Sequence, residues 1–330
     1  MELIVGKASF CDYHSIQEAV DVLDRKEVYS EARERDTIFI LEGVYEECVI
    51  IHNSNLRVCG IGRVEITRSR HALQHNEQGE EIGTFGTPTV FLGGSDLLID
   101  NLIISNTAGQ GEGIGQAVAL TAYCDRAVIQ NCTLRAHQDT LFTGPLPPKP
   151  KERAKFGGAE IRHKHDQYRQ LYVNCYIEGT VDFIFGGATA YFEHCHIHSL
   201  RHYDNQPTYV TAASTPQGQP FGYVFHSCWL TGDENMTPVF LGRPWREYAR
   251  TVWVKCRLGE HIDPAGWHNW DNRDNERTVV YQEYDPEHAH ELRNTRVDWA
   301  DCLADGVEQW DRRTVFGGDV FWEENSYVYK

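Results

Sequence analysis

The chain has 330 residues and a formal net charge of −17, and 41% of it is hydrophobic, including 16 Tyr, 14 Phe and 8 Trp. That content supports a sizeable core, while no apolar run reaches membrane-spanning length, which argues against a transmembrane protein. An acidic balance this strong, with no long basic block against it, excludes nucleic acid as the expected partner. It also disfavours a strongly anionic polymer unless a cleft supplies its own basic lining.

The chain starts Met1-Glu-Leu-Ile-Val-Gly-Lys-Ala-Ser-Phe10. No basic segment followed by a long apolar stretch is visible there, so a cytoplasmic protein is expected, or a secreted one if a native leader was removed. Ser15-Ile-Gln-Glu18 is a capping-box pattern and predicts a helix over 15–24 that covers the first coil of the fold. Gly109-Gln-Gly-Glu-Gly-Ile-Gly115 has the look of a phosphate loop. It lacks the helix and the P-loop Lys that such sites use, so no phosphate site is assigned to it.

From residue 98 onward one strand-like unit recurs. It reads Leu98-Ile-Asp-Asn-Leu-Ile-Ile104, then Val128-Ile-Gln-Asn-Cys-Thr-Leu134, Leu171-Tyr-Val-Asn-Cys-Tyr-Ile177, Phe192-Glu-His-Cys-His-Ile197, Val224-Phe-His-Ser-Cys-Trp-Leu230 and Val252-Trp-Val-Lys-Cys-Arg-Leu258. A self-similar unit with loop insertions signals a solenoid. Strands set off by Gly, Asn and Asp turns, with no long helical period between them, predict an all-β chain folded as a single parallel β-helix over 1–330. Cys132, Cys175, Cys195, Cys228 and Cys256 share one repeat position between apolar residues. That pattern suits an internal stack of reduced side chains better than disulfides. No Cys-x-x-Cys pair occurs, which argues against zinc. The His-x-His runs at 163–165, 194–198 and 288–290 are read as surface, with His194, His196 and His198 forming a solvated outer stripe. Neither a metal nor a cofactor is expected.

Asp139 follows Cys132 by seven residues, and Asp182 follows Cys175 by the same interval. Equivalent positions of successive coils stack at about 4.8 Å, the spacing of paired strands. The two carboxylates are therefore expected to be vertical neighbours. Two such groups cannot both ionise freely, so the pair offers a general acid beside a nucleophile or base.

At this point the motifs resemble the pectin methylesterase (pectinesterase) family. The resemblance rests on Gly43-Val-Tyr-Glu-Glu47, Gln116-Ala-Val-Ala-Leu120, Gln138-Asp-Thr-Leu141, Gly179-Thr-Val-Asp-Phe-Ile-Phe-Gly186, Leu241-Gly-Arg-Pro-Trp245 and Pro264-Ala-Gly-Trp267, in the family's order. It implies a right-handed β-helix with long cleft-forming loops. It also implies an esterase that hydrolyses C6 methyl esters of galacturonan or short oligogalacturonates to carboxylate and methanol. Asp182 takes the nucleophile's place and Asp139 that of the acid, then base. Gln116 and Gln138 stand where the family donates to the oxyanion, a task suited to amide N–H groups. Arg243 precedes Cys256 by thirteen residues, as Asp182 precedes Cys195. That spacing puts Arg243 on the same wall about two rungs, roughly 10 Å, away, where its fork can orient Asp182. Trp245 and Phe185 are the expected cleft floor, with Trp267 a third aromatic candidate and Thr89 a further substrate contact.

Two departures from the family pattern stand out. About twenty extra residues, roughly 144–166, separate the carboxylates, with four Pro and the basic residues Lys149, Lys151, Arg153, Lys155, Arg162 and Lys164. This basic flap is expected to border the cleft and attract free carboxylates. The family's Gly-rich tail is replaced by Asp285-Pro-Glu-His-Ala-His-Glu291. An acyl (thio)esterase on the same scaffold, or a carbohydrate-binding β-helix without turnover, is the competing reading. The expected partner is methylated pectin or oligogalacturonate, handled by a monomer.

Overall fold

The computed structural model describes residues 1–24, 34–150, 156–285 and 287–326. Every paired strand in it is parallel. The chain coils as a right-handed parallel β-helix. One seven-stranded sheet runs through Val49–Ile51, Val90–Leu92, Leu120–Ala122, Leu141–Thr143, Ile184–Gly186, Thr208–Ala213 and Val239–Gly242 in spatial order. A sixteen-stranded sheet forms the other two faces. It bends because the long strand Leu56–Arg68 pairs with Ser95–Asp100 along one half and with Ile103–Asn106 along the other.

Side-chain alternation separates core from cleft. In the seven-stranded sheet Leu120, Leu141 and Ile184 stand in register and point into the coil, each fully buried. Their neighbours Phe91, Thr121, Phe142, Phe185 and Ala212 form the ladder on the opposite face. Inside, Tyr172, Phe192, Phe225 and Trp253 are also in register, with ring planes within 13° of parallel and centroids 3.9–4.6 Å apart. The rung spacing dictates this offset stacking.

The cysteine ladder is as expected for four of its five members, while Cys256 is free but only partly buried. Cys132, Cys175, Cys195 and Cys228 are buried and free. Their thiols contact backbone carbonyls of the rung behind, as Cys175 does with Ile129 O at 3.4 Å and Cys228 with Phe192 O at 3.4 Å. The residue before each of these cysteines turns the corner left-handed, with φ between 51° and 54° at Asn131, Asn174, His194 and Ser227. Asn tolerates that conformation, and this explains its recurrence in the repeat.

The first end is closed by the helix Ile16–Asp24, whose Ile16, Ala19, Val20 and Leu23 face the coil. Its capping departs from expectation. The Glu18 N–H lies 3.4 Å from Ser15 Oγ, but the reciprocal carboxylate is Glu47, which accepts from Ser15 Oγ and from the Ile16 and Gln17 amides at 2.8–3.1 Å. A carboxylate brought from the next coil thus complements the positive end of the helix and pins it to the stack. The C-terminal turns Arg312–Val315 and Phe321–Glu324 lay Val315, Phe316, Phe321 and Trp322 over Val128, Leu171, Tyr191 and Val252 on an outer sheet face. Trp310 joins this cluster, and its carbonyl accepts from Tyr191 Oη at 3.1 Å.

The histidine stripe is corrected in part. Only His194 is exposed, at the left-handed turn. His196 and His198 share the strand His196–Ser199 and lie half-buried, each with a ring nitrogen 2.7 Å from Thr231 Oγ1. Among the described residues no group of three or more His, Cys, Asp or Glu is arranged to hold a metal ion. Nor is any described helix long and apolar enough to cross a membrane.

Candidate active site

Asp139 sits two residues before Leu141 and Asp182 two residues before Ile184, and those two residues are register partners. The carboxylates therefore occupy the same corner of consecutive rungs. The Asp139 amide donates to Val181 O at 3.1 Å, and both residues are left-handed, with φ of 67° and 51°. Asp is among the few residue types that hold this conformation at low cost. Each is 7% exposed, at the base of a cleft of about 460 Å³.

Arg243 follows the strand Val239–Gly242, two strands from Ile184–Gly186 in the sheet, as the spacing predicts. It grips Asp182 with both prongs, Nε to Oδ1 at 2.8 Å and Nη2 to Oδ2 at 2.7 Å. Its guanidinium is held between the rings of Tyr209 and Trp270, with Cζ 3.8 and 3.9 Å from the two centroids. Stacking of this kind contributes on the order of 2 kcal/mol where water is excluded. Burial works against the Arg243 charge, yet Asp182 outweighs it and the guanidinium pKa is raised. A fork that offers two N–H donors needs an acceptor-only partner, which favours the ionised form of Asp182.

Asp139 has the opposite surroundings. Burial first, and then the negative charge of Asp182, push its carboxyl well above the ordinary carboxylate range, and Arg243 offsets only part of that. Asp139 keeps its proton at pH values where an ordinary carboxyl has lost it. One rung corner thus carries a proton donor and the next an oriented anion.

Gln116 and Gln138 line the same cleft. The Ala117 amide donates to Gln138 O at 3.0 Å, which ties the two glutamines to adjacent rungs. Phe185 and Trp245 line the cleft too and meet edge to face at 5.8 Å.

Two expected contacts lie elsewhere. Thr89 is fully buried and donates to Ser105 O at 2.9 Å, so it braces a coil and does not reach the cleft. Trp267 is 1% exposed. It bridges to Gly242, which puts it on the inward-facing ladder, where it stacks on Tyr281 at 4.2 Å and donates its indole N–H to Glu283. The aromatic that the same loop sends to the cleft is Trp270, three residues on. Besides Trp270, the sequence reading missed Tyr209, Phe85 and Leu73, which carry no motif. Tyr209 could have been found by register, since the pairing of Ile184 with Thr211 places it beside Asp182 on the next rung.

The inserted loop does border the cleft, and among its described residues the groups that do so are apolar. Pro150 and Phe156 line it. Arg162, in contrast, pairs with Asp24 at 2.8 Å, on the first helix. Lys151, Arg153 and Lys155 lie outside the described residues.

Comparison with known proteins gives one answer. The Pectinesterase family model matches residues 2–145 and 161–315. Pectinesterase 31 of Arabidopsis thaliana is 33% identical over 304 residues, which cover 89% of this chain and 85% of that protein. The structure of carrot pectin methylesterase is 29% identical, with a TM-score of 0.80 over 99% of this chain and 97% of that one. A pectin methylesterase mutant solved in complex with a hexasaccharide is 25% identical, with a TM-score of 0.72 over 96% of both chains.

Proposed function

The chain belongs to the pectinesterase family, and on that premise we propose that Asp182 is its nucleophile and Asp139 its acid, then base. It is a carboxylic ester hydrolase, and the family's reaction is the hydrolytic demethylesterification of pectin. The observation that carries the residue roles is the split environment of the two stacked carboxylates, one gripped by Arg243 and the other keeping its proton.

In this reading an Asp182 oxygen attacks the ester carbonyl carbon, and the carbonyl oxygen becomes an oxyanion facing the side-chain amides of Gln116 and Gln138. The C–O bond to the methoxy group then breaks, and Asp139 gives its proton to the leaving oxygen, releasing methanol. What remains is an anhydride between Asp182 and the sugar carboxyl, with Asp139 now a carboxylate. Asp139 next takes a proton from water as the water oxygen attacks the sugar acyl carbon. The Asp182–acyl bond breaks, the galacturonate carboxylic acid forms and ionises, and both aspartates return to their first states. No metal is required at any step. The aromatic floor of Phe185 and Trp245 complements the apolar C–H faces of sugar rings, and the hexasaccharide complex of the related enzyme supports an oligogalacturonate as ligand.

The test is methanol release from highly methylated oligogalacturonides by the intact protein and by Asp182→Ala at equal folded concentration. The substitution is expected to lower release by at least about 1000-fold, since the nucleophile and its proton partner act as a unit. Substantial release by Asp182→Ala would remove Asp182 from the nucleophile's role.

A further inference from the structure

We infer that His268 is a positioning residue for the reaction, holding the Trp270 ring against the Arg243 guanidinium and so fixing the fork that aims Asp182. This rests on the esterase reading above. The segment Trp267-His-Asn-Trp-Asp-Asn-Arg273 leaves the coil just after Trp267 bridges to Gly242, the residue before Arg243. The His268 amide donates to Gly242 O at 3.1 Å, which sets His268 beside the strand that carries the arginine.

The two rings that hold Arg243 differ in their support. Tyr209 lies in the strand Thr208–Ala213, is 9% exposed and stacks on its register partner Phe240 with centroids 5.4 Å apart. That jaw is fixed by the sheet. Trp270 stands in a loop, and its φ is +59°, followed by +56° at Asp271. A bulky residue is strained in this left-handed region and stays there only where its surroundings hold it. The Trp270 amide donates to His268 Nδ1 at 3.0 Å and the Asp271 amide to Asn269 Oδ1 at 2.9 Å. Asn269 is anchored in turn, with Nδ2 donating to Glu276 Oε1 at 2.7 Å and its carbonyl accepting from Asn275 Nδ2 at 3.1 Å. The His268 ring meets Tyr209 edge to face at 5.7 Å and Phe240 at 5.4 Å. One side chain thus rests on the fixed jaw and holds the backbone of the other.

A backbone amide can only donate, so Nδ1 is the acceptor and the imidazole is the neutral Nε2–H tautomer. A proton on Nδ1 would set donor against donor and release the left-handed turn. Among the described residues, burial is the largest influence on the imidazole and lowers its pKa; Asp271, with Oδ1 3.9 Å from Nε2, opposes that, and Arg243 adds to it. Tyr209, packed on the ring, is kept neutral by burial, which raises its pKa. His268 therefore keeps its acceptor at neutral pH. With the Trp270 ring withdrawn, the guanidinium gains room to turn, and a shift of about 1 Å in a group that aims a nucleophile is enough to cost rate heavily.

The experiment measures kcat and KM for methanol release from a highly methylated oligogalacturonide across pH, using the parent, His268→Phe and His268→Asn at equal folded concentration. Phe keeps a ring against Tyr209 but has no acceptor, while Asn places Oδ1 where Nδ1 stood. At neutral pH His268→Phe should lower kcat by about 10-fold or more with KM little changed, and His268→Asn should retain kcat within about 3-fold. The acceptor is present above the folded pKa of His268 and lost as pH falls through it. The parent's kcat should therefore decline on the acid side, below the ordinary histidine value, and His268→Asn, which does not titrate, should hold its kcat to lower pH. A His268→Phe that matches the parent, a His268→Asn that loses as much as His268→Phe, losses confined to KM, or one acid limb shared by the parent and His268→Asn would each overturn the inference while leaving the esterase reading intact. Absence of methanol release by the parent would overturn the esterase reading and this inference with it.

Discussion

Asp182 and Glu283 are two carboxylates that are each held by both prongs of an arginine, and of these two only Asp182 is placed for chemistry. Glu283 accepts from Arg296 Nε and Nη2 at 2.8 and 3.0 Å, much as Asp182 accepts from Arg243. Glu283 is 2% exposed, Trp267 donates to it as well, and Arg296 spends a further nitrogen on Pro264 O at 3.0 Å. That pair is a closed knot tying the last coils together. Asp182 instead faces a cleft and has a second carboxylate one rung away. An ion pair alone does not mark a reactive group. Room for a substrate and a partner with the opposite proton affinity do.

Cutting each arginine tests this contrast most severely. Arg243→Ala should lower kcat for methanol release by about 100-fold or more, because Asp182 loses its orientation. Arg296→Ala should instead leave kcat per folded molecule near the parent value while costing about 3–5 kcal/mol in urea unfolding, since Glu283 is left buried and uncompensated. Equal activity losses in the two variants would break the comparison. Gln138→Ala sharpens it from the cleft side. Loss of one oxyanion donor should lower kcat by about 100-fold with KM little changed, and a KM effect alone would move Gln138 to ground-state binding.

The smallest effect expected is on stability, at Asp139. Its carboxyl is raised in the fold, so it costs the fold nothing below the ordinary carboxylate range. Stability is then lost as pH climbs from that range through the raised value, because the unfolded chain gives up the proton first. Asp139→Asn cannot ionise. Its urea midpoint should match the parent at low pH and exceed it at neutral pH, and a variant less stable than the parent at neutral pH would contradict the assigned protonation.

What could be read from the sequence was whatever the rung period controls. The common interval from Cys132 to Asp139 and from Cys175 to Asp182 is a statement about stacking, and stacking in a β-helix is set by the strand ladder. Arg243 was legible for the same reason. What stayed hidden depends on choices that the period does not make. Trp267 and Trp270 lie in one loop, and only the bridge from Gly242 to Trp267 reveals which of them turns inward. Thr89 lies just before a cleft-sheet strand, yet its hydroxyl is consumed by Ser105 O. Glu47 as the cap of the first helix was out of reach because a capping box is a local pattern and its acceptor here comes from 29 residues after Glu18. The C-terminal turns were invisible as a cover because short aromatic segments carry no partner signal. The outer-face valines and tyrosine they bury show the need for a cover only once the sheet is built.

The seven-stranded sheet has one further property. In spatial order Leu141–Thr143 is its fourth strand and Ile184–Gly186 its fifth, so the two aspartates lie at mid-stack, with three strands before the first and two after the second. A linear stack of rungs is held by neighbours alone and frays from its ends, as a zipper opens. Partial opening at the first end can therefore run its course while the reacting corner stays assembled, whereas opening at the far end releases Arg243, which follows the last strand, so the durability of catalysis is tied to one tip and decoupled from the other.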